Sequence, residues 1–298
     1  MIQLYSLCSV ALCTYNGAEY LSELLDSILS QSIPASEIII VDDYSSDGTV
    51  DILEEYIKRY PKIKLHLQST NSGPIASFEK AIQLANFPYI FLADQDDVWK
   101  SNKLESMLSI AKNFQEDQPL LVYSDLEVID ENGNVLFPSF WEMAALKPQI
   151  STFKSLLFGN SVTGCASMIN AKMKEYLISI PQGVLMHDHW IGLIAYGFGN
   201  AVVLEDKLVK YRTHGKSVTD KTHASILWKI RTQLNQILSI NADFLDEEIN
   251  QILLFNQKFR NYLSIENQNY VDKFIALKHK SVYKRKLVSY LRFKKGTK

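Results

Sequence analysis

The chain has 298 residues, 47% hydrophobic and 21% charged, which is ordinary for a globular protein and long enough for one large domain with an appendage. Its 33 acidic and 31 basic side chains leave a formal net charge of -2, which gives no global reason to expect a nucleic-acid partner. Three cysteines, Cys8, Cys13 and Cys165, form no CxxC pair and are odd in number, so a disulfide framework or zinc site is not expected and a reducing cytoplasm fits.

In chain order, the opening MIQLYSLCSVALCTY lacks a basic leader region and runs straight into a first strand, Ser9 to Cys13. Amphipathic spacing then predicts helices over Tyr20 to Leu29, Val50 to Tyr60, Ile75 to Ala85 and Leu104 to Phe114. Between them, short apolar runs at Ile38 to Val41, Ile63 to Leu67, Tyr89 to Ala93 and Leu120 to Tyr123 read as strands. Such βαβ repetition implies a mostly parallel sheet covered on both faces. Asn132-Gly133, set between Val128-Ile129 and Val135-Leu136, predicts a tight hairpin that brings in antiparallel pairing. From about Ala224 the pattern is helical, with Ile226, Ile230, Leu234, Ile237 and Leu238 at helix spacing. The expected division is therefore residues 1–220 and a helical extension, 221–298, with the boundary near Lys216 to His223. No apolar run approaches the roughly 18 residues of a membrane span.

In parallel sheets ligands bind beyond the carboxyl ends of the strands. Here those ends carry Thr14-Tyr15-Asn16-Gly17, then VDDYSSDGT from Val41 to Thr49, then Asn71-Ser72-Gly73-Pro74, and finally Asp94-Gln95-Asp96-Asp97. Carboxylates as close as those of DQDD resist joint ionisation unless a cation, donors or water offset the charge, and a divalent metal is the natural counter-charge. The plainer reading is a solvated turn in which Asp97 or Ser101 caps the next helix. In the second cluster Asp43 can accept the imide N–H of a uracil or thymine ring, while Asp47 serves the turn and helix start.

Taken together, VALCTYNGAEYL, IIIVDDYSSDGT, YIFLADQDDVW and HDHW follow the order and approximate spacing of the family 2 glycosyltransferases, which the chain resembles from about Ser9 to Lys216. The resemblance implies a GT-A fold, a Rossmann-like α/β sheet flanked by helices. DQDDVW with HDHW is most similar to the bacterial rhamnosyltransferase-like branch. On this resemblance Thr14, Tyr15, Asn16, Glu19, Asp43, Asp94 and Asp96 bind the nucleotide-sugar, and Asp94, Asp96 and His214 hold Mn or Mg at the donor diphosphate. Asp188 matches the family's catalytic acid, although the residue before it is His187 where Glu is common. Its plainer reading is an N-cap for a helix beginning near His189. Gly164, His187, His189 and Trp190 fall on the acceptor side by the same resemblance. His187 and His189 lie two apart and so face differently on a helix, which argues against a two-histidine metal site. Cys165 reads as a small buried residue, and Trp99 and Trp190 are either sugar-stacking or core aromatics.

The implied activity is inverting, metal-dependent transfer from a UDP- or dTDP-sugar, dTDP-rhamnose foremost, to a glycan or lipid-linked acceptor. A catalytically silent nucleotide-sugar binder on the same fold and a Mg-binding phospho-acceptor module are the rivals. The tail from Lys273 to Lys298 holds ten Lys or Arg and no acid, interleaved with apolar residues. It suits an anionic membrane surface at the inner face of the cell membrane better than nucleic acid, for which no motif accompanies the charge, and the plainer reading is a solvated terminal helix that packs on the catalytic domain.

Overall fold

The computed structural model describes residues 8–214 and 244–295. The expected boundary near Lys216 to His223 and the apolar positions from Ile226 to Leu238 lie outside them. A nine-stranded sheet forms the centre. Its first half alternates as the sequence periodicity requires: β1 (Cys8–Thr14), α1 (Leu21–Leu29), β2 (Glu37–Asp42), α2 (Thr49–Arg59), β3 (Ile63–Leu67), α3 (Gly73–Leu84) and β4 (Tyr89–Asp94). These strands pair in parallel in the order β3-β2-β1-β4.

Beyond β4 come the short β5 (Val98–Trp99), α4 (Lys103–Ala111) and β6 (Leu120–Ile129), which turns through Asn132 and Gly133 into β7 (Val135–Phe137) as an antiparallel hairpin. Then follow α5 (Phe140–Met143), α6 (Phe153–Leu156), β8 (Ser167–Asn170), α7 (Ala171–Tyr176), α8 (His187–Phe198) and β9 (Asn200–Arg212). β8 inserts antiparallel between β4 and β6, so β6 keeps the direction of β4, and β9 runs parallel to β6. The sheet stays mostly parallel, with β5, β7 and β8 opposed.

Alternation along each strand divides the core. Val10 and Leu12 of β1, with Ile38 and Ile40 of β2, face Leu21, Leu24, Leu25 and Ile28 of α1, whose spacing lays one stripe on the sheet. Ala11, Ile39 and Val41 face the other side, against Phe78, Ala81 and Ile82 of α3. The same second layer holds α8 and the C-terminal helices α9 (Asp246–Phe259) and α10 (Ile265–Ile275); α11 (Val282–Lys295) follows and is tied to α9 through Arg285. Ile249, Ile252, Phe255 and Phe259 of α9 share one buried cluster with Trp190, Ile191 and Ile194 of α8. The described part of the extension therefore completes the core of the sheet rather than building one of its own.

This packing alters the reading of the basic tail. Phe274 and Leu277 are buried in that cluster, and the Arg285 guanidinium is buried, donating to the carbonyls of Phe244, Lys278 and Lys280 and pairing with Asp246. Tyr283, Lys284, Leu287 and Val288 remain exposed. Phe255 is fully buried with its ring 5.4 Å from that of Trp190 and 5.9 Å from that of Phe153. Phe255→Ala is expected to cost about 3–5 kcal/mol, read as a lowered urea midpoint. A loss below about 1 kcal/mol would contradict the shared core.

Candidate functional site

Strand register brings the polar strand ends to one level. Thr14 is the partner of Asp42, and Cys13 that of Asp94. A cleft of about 680 Å³ opens over this edge, lined by Thr14, Tyr15, Asn16, Glu19, Asp43, Asp94, Asp96, Gly164, His187, Asp188 and His214. Of the residues expected at the site, only His189 and Trp190 lie off it.

Loop chemistry fixes one wall of the cleft. Asn16 adopts a positive φ of 49°, which asparagine tolerates, and its Oδ1 accepts the N–H of Ser46 at 2.8 Å. Asp47 accepts the N–H groups of Ala18 and Thr49, tying the second loop to the first and serving the start of α2 as expected. Asp43 is buried, and its carboxylate accepts from Ser72 N (2.7 Å), Gly73 N (2.8 Å) and Gln68 Nε2 (2.7 Å). It thereby clasps the N-terminus of α3, where Pro74 follows Gly73.

The DQDD segment divides its labour. Gln95 grips the backbone of Tyr15 at both ends, Oε1 accepting from Tyr15 N at 2.7 Å and Nε2 donating to Tyr15 O at 2.9 Å. A Cβ at Gly17 would stand 2.2 Å from Gln95 Oε1, so the close approach needs glycine there. Asp96 meets His214 Nε2 at 2.8 Å. Asp97 is fully buried; its Oδ1 accepts from Arg212 N at 3.2 Å, while its Oδ2 has no hydrogen-bond partner among the described residues. The helix-capping alternative fails, because α4 begins after Asn102, well beyond Asp97 and one residue past Ser101.

Two cations were missed in the sequence. Lys103 on α4 is fully buried beneath the cluster, donating to the carbonyls of Cys165 (2.7 Å) and Leu92 (3.4 Å), with its Nζ 3.4 Å from the centre of the Trp99 ring. Buried Trp99 is thus a core aromatic under the site. Arg212, 2% exposed, donates to the carbonyls of Asp96, Asp130 and Glu131, pairs with Glu23 and lies over the Tyr20 ring. The segment YRTHG carried a signal in its arginine; nothing in the sequence marked Lys103.

Burial, reinforced by neighbouring Asp96 and Asp188, pushes Asp94 up to about 7. Burial with Asp96 and Asp94 also holds Asp97 well above the carboxylate range, and burial pulls Lys103 down to about 7. Burial thus disfavours the ionised carboxylates at this edge, and a bound cation would favour them again. Ligand atoms of Asp94, Asp97 and Cys165 lie within 4.8 Å of one another. The carboxylates suit a hard divalent ion; the thiol, pushed far up by burial and by Asp97 and Asp94, does not.

Opposite this edge stands the first turn of α8. Its N-cap is Met186, so Asp188 lies inside the helix and is not its cap. Asp188 Oδ1 accepts from His189 N at 2.6 Å. Gly164 backs the carboxylate so closely that a Cβ there would stand 3.1 Å from Asp188 Cβ and 3.2 Å from His187 Nε2. His189 and Trp190, expected on the acceptor side, instead point into the core. Trp190 is wholly buried, and its ring packs against Phe255 and Phe259. His189 Nε2 lies 2.7 Å from the carbonyl of Leu156 and its Nδ1 2.8 Å from Gln251 Nε2, with Gln251 Oε1 accepting from Leu185 N at 2.8 Å. Gln251 of α9 thereby ties the extension to the start of α8, a link that no local sequence pattern announced.

The glycosyl transferase family 2 model matches residues 9–170. TuaG of Bacillus subtilis, named for teichuronic acid biosynthesis, is 30% identical over 215 residues, covering 72% of this chain and 81% of that protein. The dTDP-rhamnosyl transferase RfbG of Shigella flexneri is 29% identical over 192 residues, covering 60% and 63%. Among solved structures, S. aureus TarS 1-349 in complex with UDP-GlcNAc superposes with a TM-score of 0.57 at 20% identity, covering 90% of this chain and 79% of that one. The mannosyltransferase PcManGT of Pyrobaculum calidifontis, in complex with GDP-Man and Mn2+, does so at 0.52 and 15%, covering 90% and 74%. The fold is GT-A-like.

Burial holds His189 below its ordinary 6.5, so as pH falls through that value the unfolded chain takes up a proton that the folded chain resists. The contribution of His189 to stability is complete above about 6.5 and declines below it. His189→Gln is expected to cost about 1 kcal/mol at pH 8 and to flatten the loss of stability between pH 8 and 5. Urea midpoints across that range with parallel slopes would contradict this assignment.

Proposed function

The chain belongs to glycosyl transferase family 2, and we propose that it is an inverting, metal-dependent transferase. It moves a sugar from a UDP- or dTDP-linked donor, dTDP-rhamnose first among them, to a glycan or lipid-linked acceptor in cell-surface polysaccharide synthesis. The observation that carries this reading is the placement of Asp188 across one cleft from Asp94 and Asp96, with Gly164 leaving room at its side. The names of TuaG and RfbG supply the substrate class.

In this mechanism the nucleoside lies along the wall made by Thr14, Tyr15, Asn16, Glu19 and Asp43. A carboxylate has about four lone-pair sites. Asp43 uses three for Ser72, Gly73 and Gln68, and keeps capacity for the base's imide N–H. Asp94 and Asp96 would hold a divalent cation, with His214 positioning Asp96 from 2.8 Å. When bound, that ion supplies positive charge against the departing nucleoside diphosphate. Asp188 is the base: its Oδ1 is held by His189 N, and its Oδ2 takes the proton of the attacking acceptor hydroxyl. One base and one leaving group suit a single displacement with inversion.

Asp188→Asn is expected to lower acceptor-dependent transfer by about 10²–10⁴-fold with donor affinity little changed. Asp96→Asn should lose most transfer together with the metal dependence of donor binding. Both are read by mass spectrometry of donor panels with Mn²⁺ or Mg²⁺. Near-normal turnover in the first variant removes Asp188 from the base role, and indifference of the wild type to chelator removes the metal.

Among the described side chains of the basic tail, Tyr283, Lys284, Leu287 and Val288 of α11 are exposed to meet an anionic membrane, each Lys or Arg near headgroups contributing about 1 kcal/mol. Since Phe274 and Leu277 belong to the core, removal of the whole tail would damage the fold. The test is instead Lys284→Gln with Lys294→Gln and Lys295→Gln. Wild type should co-sediment with phosphatidylserine vesicles in a salt-sensitive way and the triple variant should not. Equal sedimentation would remove the electrostatic anchor.

A further inference from the structure

His187 is 5% exposed and lines the cleft, yet neither of its ring nitrogens has a hydrogen-bond partner among the described residues. A buried polar atom without a partner costs about 1–3 kcal/mol, and an imidazole carries two. The ring is not placed there by chance packing alone. It stacks on Phe78 with centroids 4.0 Å apart and planes 21° apart, which fixes its orientation. Its Nε2 faces Gly164, where a Cβ would stand 3.2 Å away, so a side chain at that position would crowd the nitrogen, which is itself shielded from solvent. His189 shows the contrast: two residues on, the same side chain has both nitrogens paired in the core.

From this geometry we propose that His187 is a specificity-determining residue that takes a hydrogen bond from, or gives one to, a hydroxyl of the transferred sugar. The inference rests on the transferase reading. A sugar hydroxyl both donates and accepts, which is what an imidazole with one N–H and one bare nitrogen requires. Burial lowers the proton affinity of His187 and keeps it in that neutral form. The transferred sugar, rather than the acceptor, is its partner because of where the ring lies. His187 packs on α3, whose N-terminus Asp43 clasps, and it directly precedes Asp188. A group bounded on one side by the nucleoside wall and on the other by the base is the sugar whose anomeric carbon is attacked. Sites built to bond a hydroxyl reject analogues lacking it far more strongly than apolar pockets reject an extra methylene.

The test uses the full chain and His187→Phe, which keeps the stack on Phe78, with His187→Leu as a smaller alternative and His187→Gln retaining a donor and an acceptor. Binding of UDP, dTDP, UDP-glucose, UDP-galactose, UDP-GlcNAc and dTDP-rhamnose is measured by calorimetry with Mn²⁺, and melting of each ligand-free protein is recorded. The expected result is that the best-bound sugar nucleotide loses tenfold or more in affinity in His187→Phe, while its parent nucleotide changes by less than twofold. His187→Gln should lie between. The ligand-free Phe or Leu variant should melt at or above the wild-type temperature, since an unpaired buried polar group has been removed. Unchanged sugar-nucleotide affinity, equal loss for the sugar nucleotide and its parent nucleotide, or lower melting of both apolar variants overturns the role of His187 and leaves the transferase reading standing. A wild type that binds none of the six ligands overturns both.

Discussion

The negative charge gathered at the carboxyl edge of the sheet is the constraint to which the rest of the structure answers. Register sets Thr14 against Asp42 and Cys13 against Asp94, and the chain then adds Asp96 and Asp97 within three residues. Basic side chains reach this edge from two directions, Lys103 from below on α4 and Arg212 from the end of β9, while the imidazole of His214 meets Asp96 from the cleft. Lys103 and Arg212 spend their donors chiefly on backbone carbonyls, so they hold the loop in shape while only partly offsetting its carboxylates.

The second support comes from the C-terminal helices. α8 presents Asp188 from its first turn and has no side-chain cap of its own. Gln251 supplies the missing restraint by bonding Leu185 N just before the helix and His189 within it, while Trp190 is gripped by Phe255 and Phe259. The described part of the extension thus fixes where the Asp188 carboxylate stands, and none of its described residues lines the cleft.

What the sequence made legible was what is local. Apolar alternation placed β1 to β4, helix spacing placed α1 to α4, and Asn132-Gly133 placed the hairpin. The acidic strand ends could be named because parallel topology sends them all to one edge. Three features were hidden because they depend on contacts between distant segments. β8 enters the sheet 73 residues after β4 ends, as the gap from Asp94 to Ser167 shows. Lys103 meets Cys165 across 62 positions, and His189 meets Gln251 across the same number. The HDHW segment misled for a related reason: a motif read as a string suggests one shared role, whereas a helix turns its neighbours to different faces. His187 and Asp188 face the cleft, and His189 and Trp190 face the core.

That division of four consecutive residues explains how the site can carry unfavourable groups at all. Asp97 Oδ2 and both nitrogens of His187 are buried without partners among the described residues, and Asp94 is forced toward protonation. Each lowers the stability of the ligand-free protein. Each also lies within a residue or two of a strongly held neighbour: Arg212 N on the other oxygen of Asp97, Gln95 clamped to Tyr15 beside Asp94, and the doubly bonded His189 after Asp188. The rigid neighbours come from the sheet and the two apolar layers, so the strain is local and the geometry is set before any ligand arrives. On the proposed reading, a cation and a sugar hydroxyl would meet groups already short of partners, and part of the binding energy would be relief of that shortage.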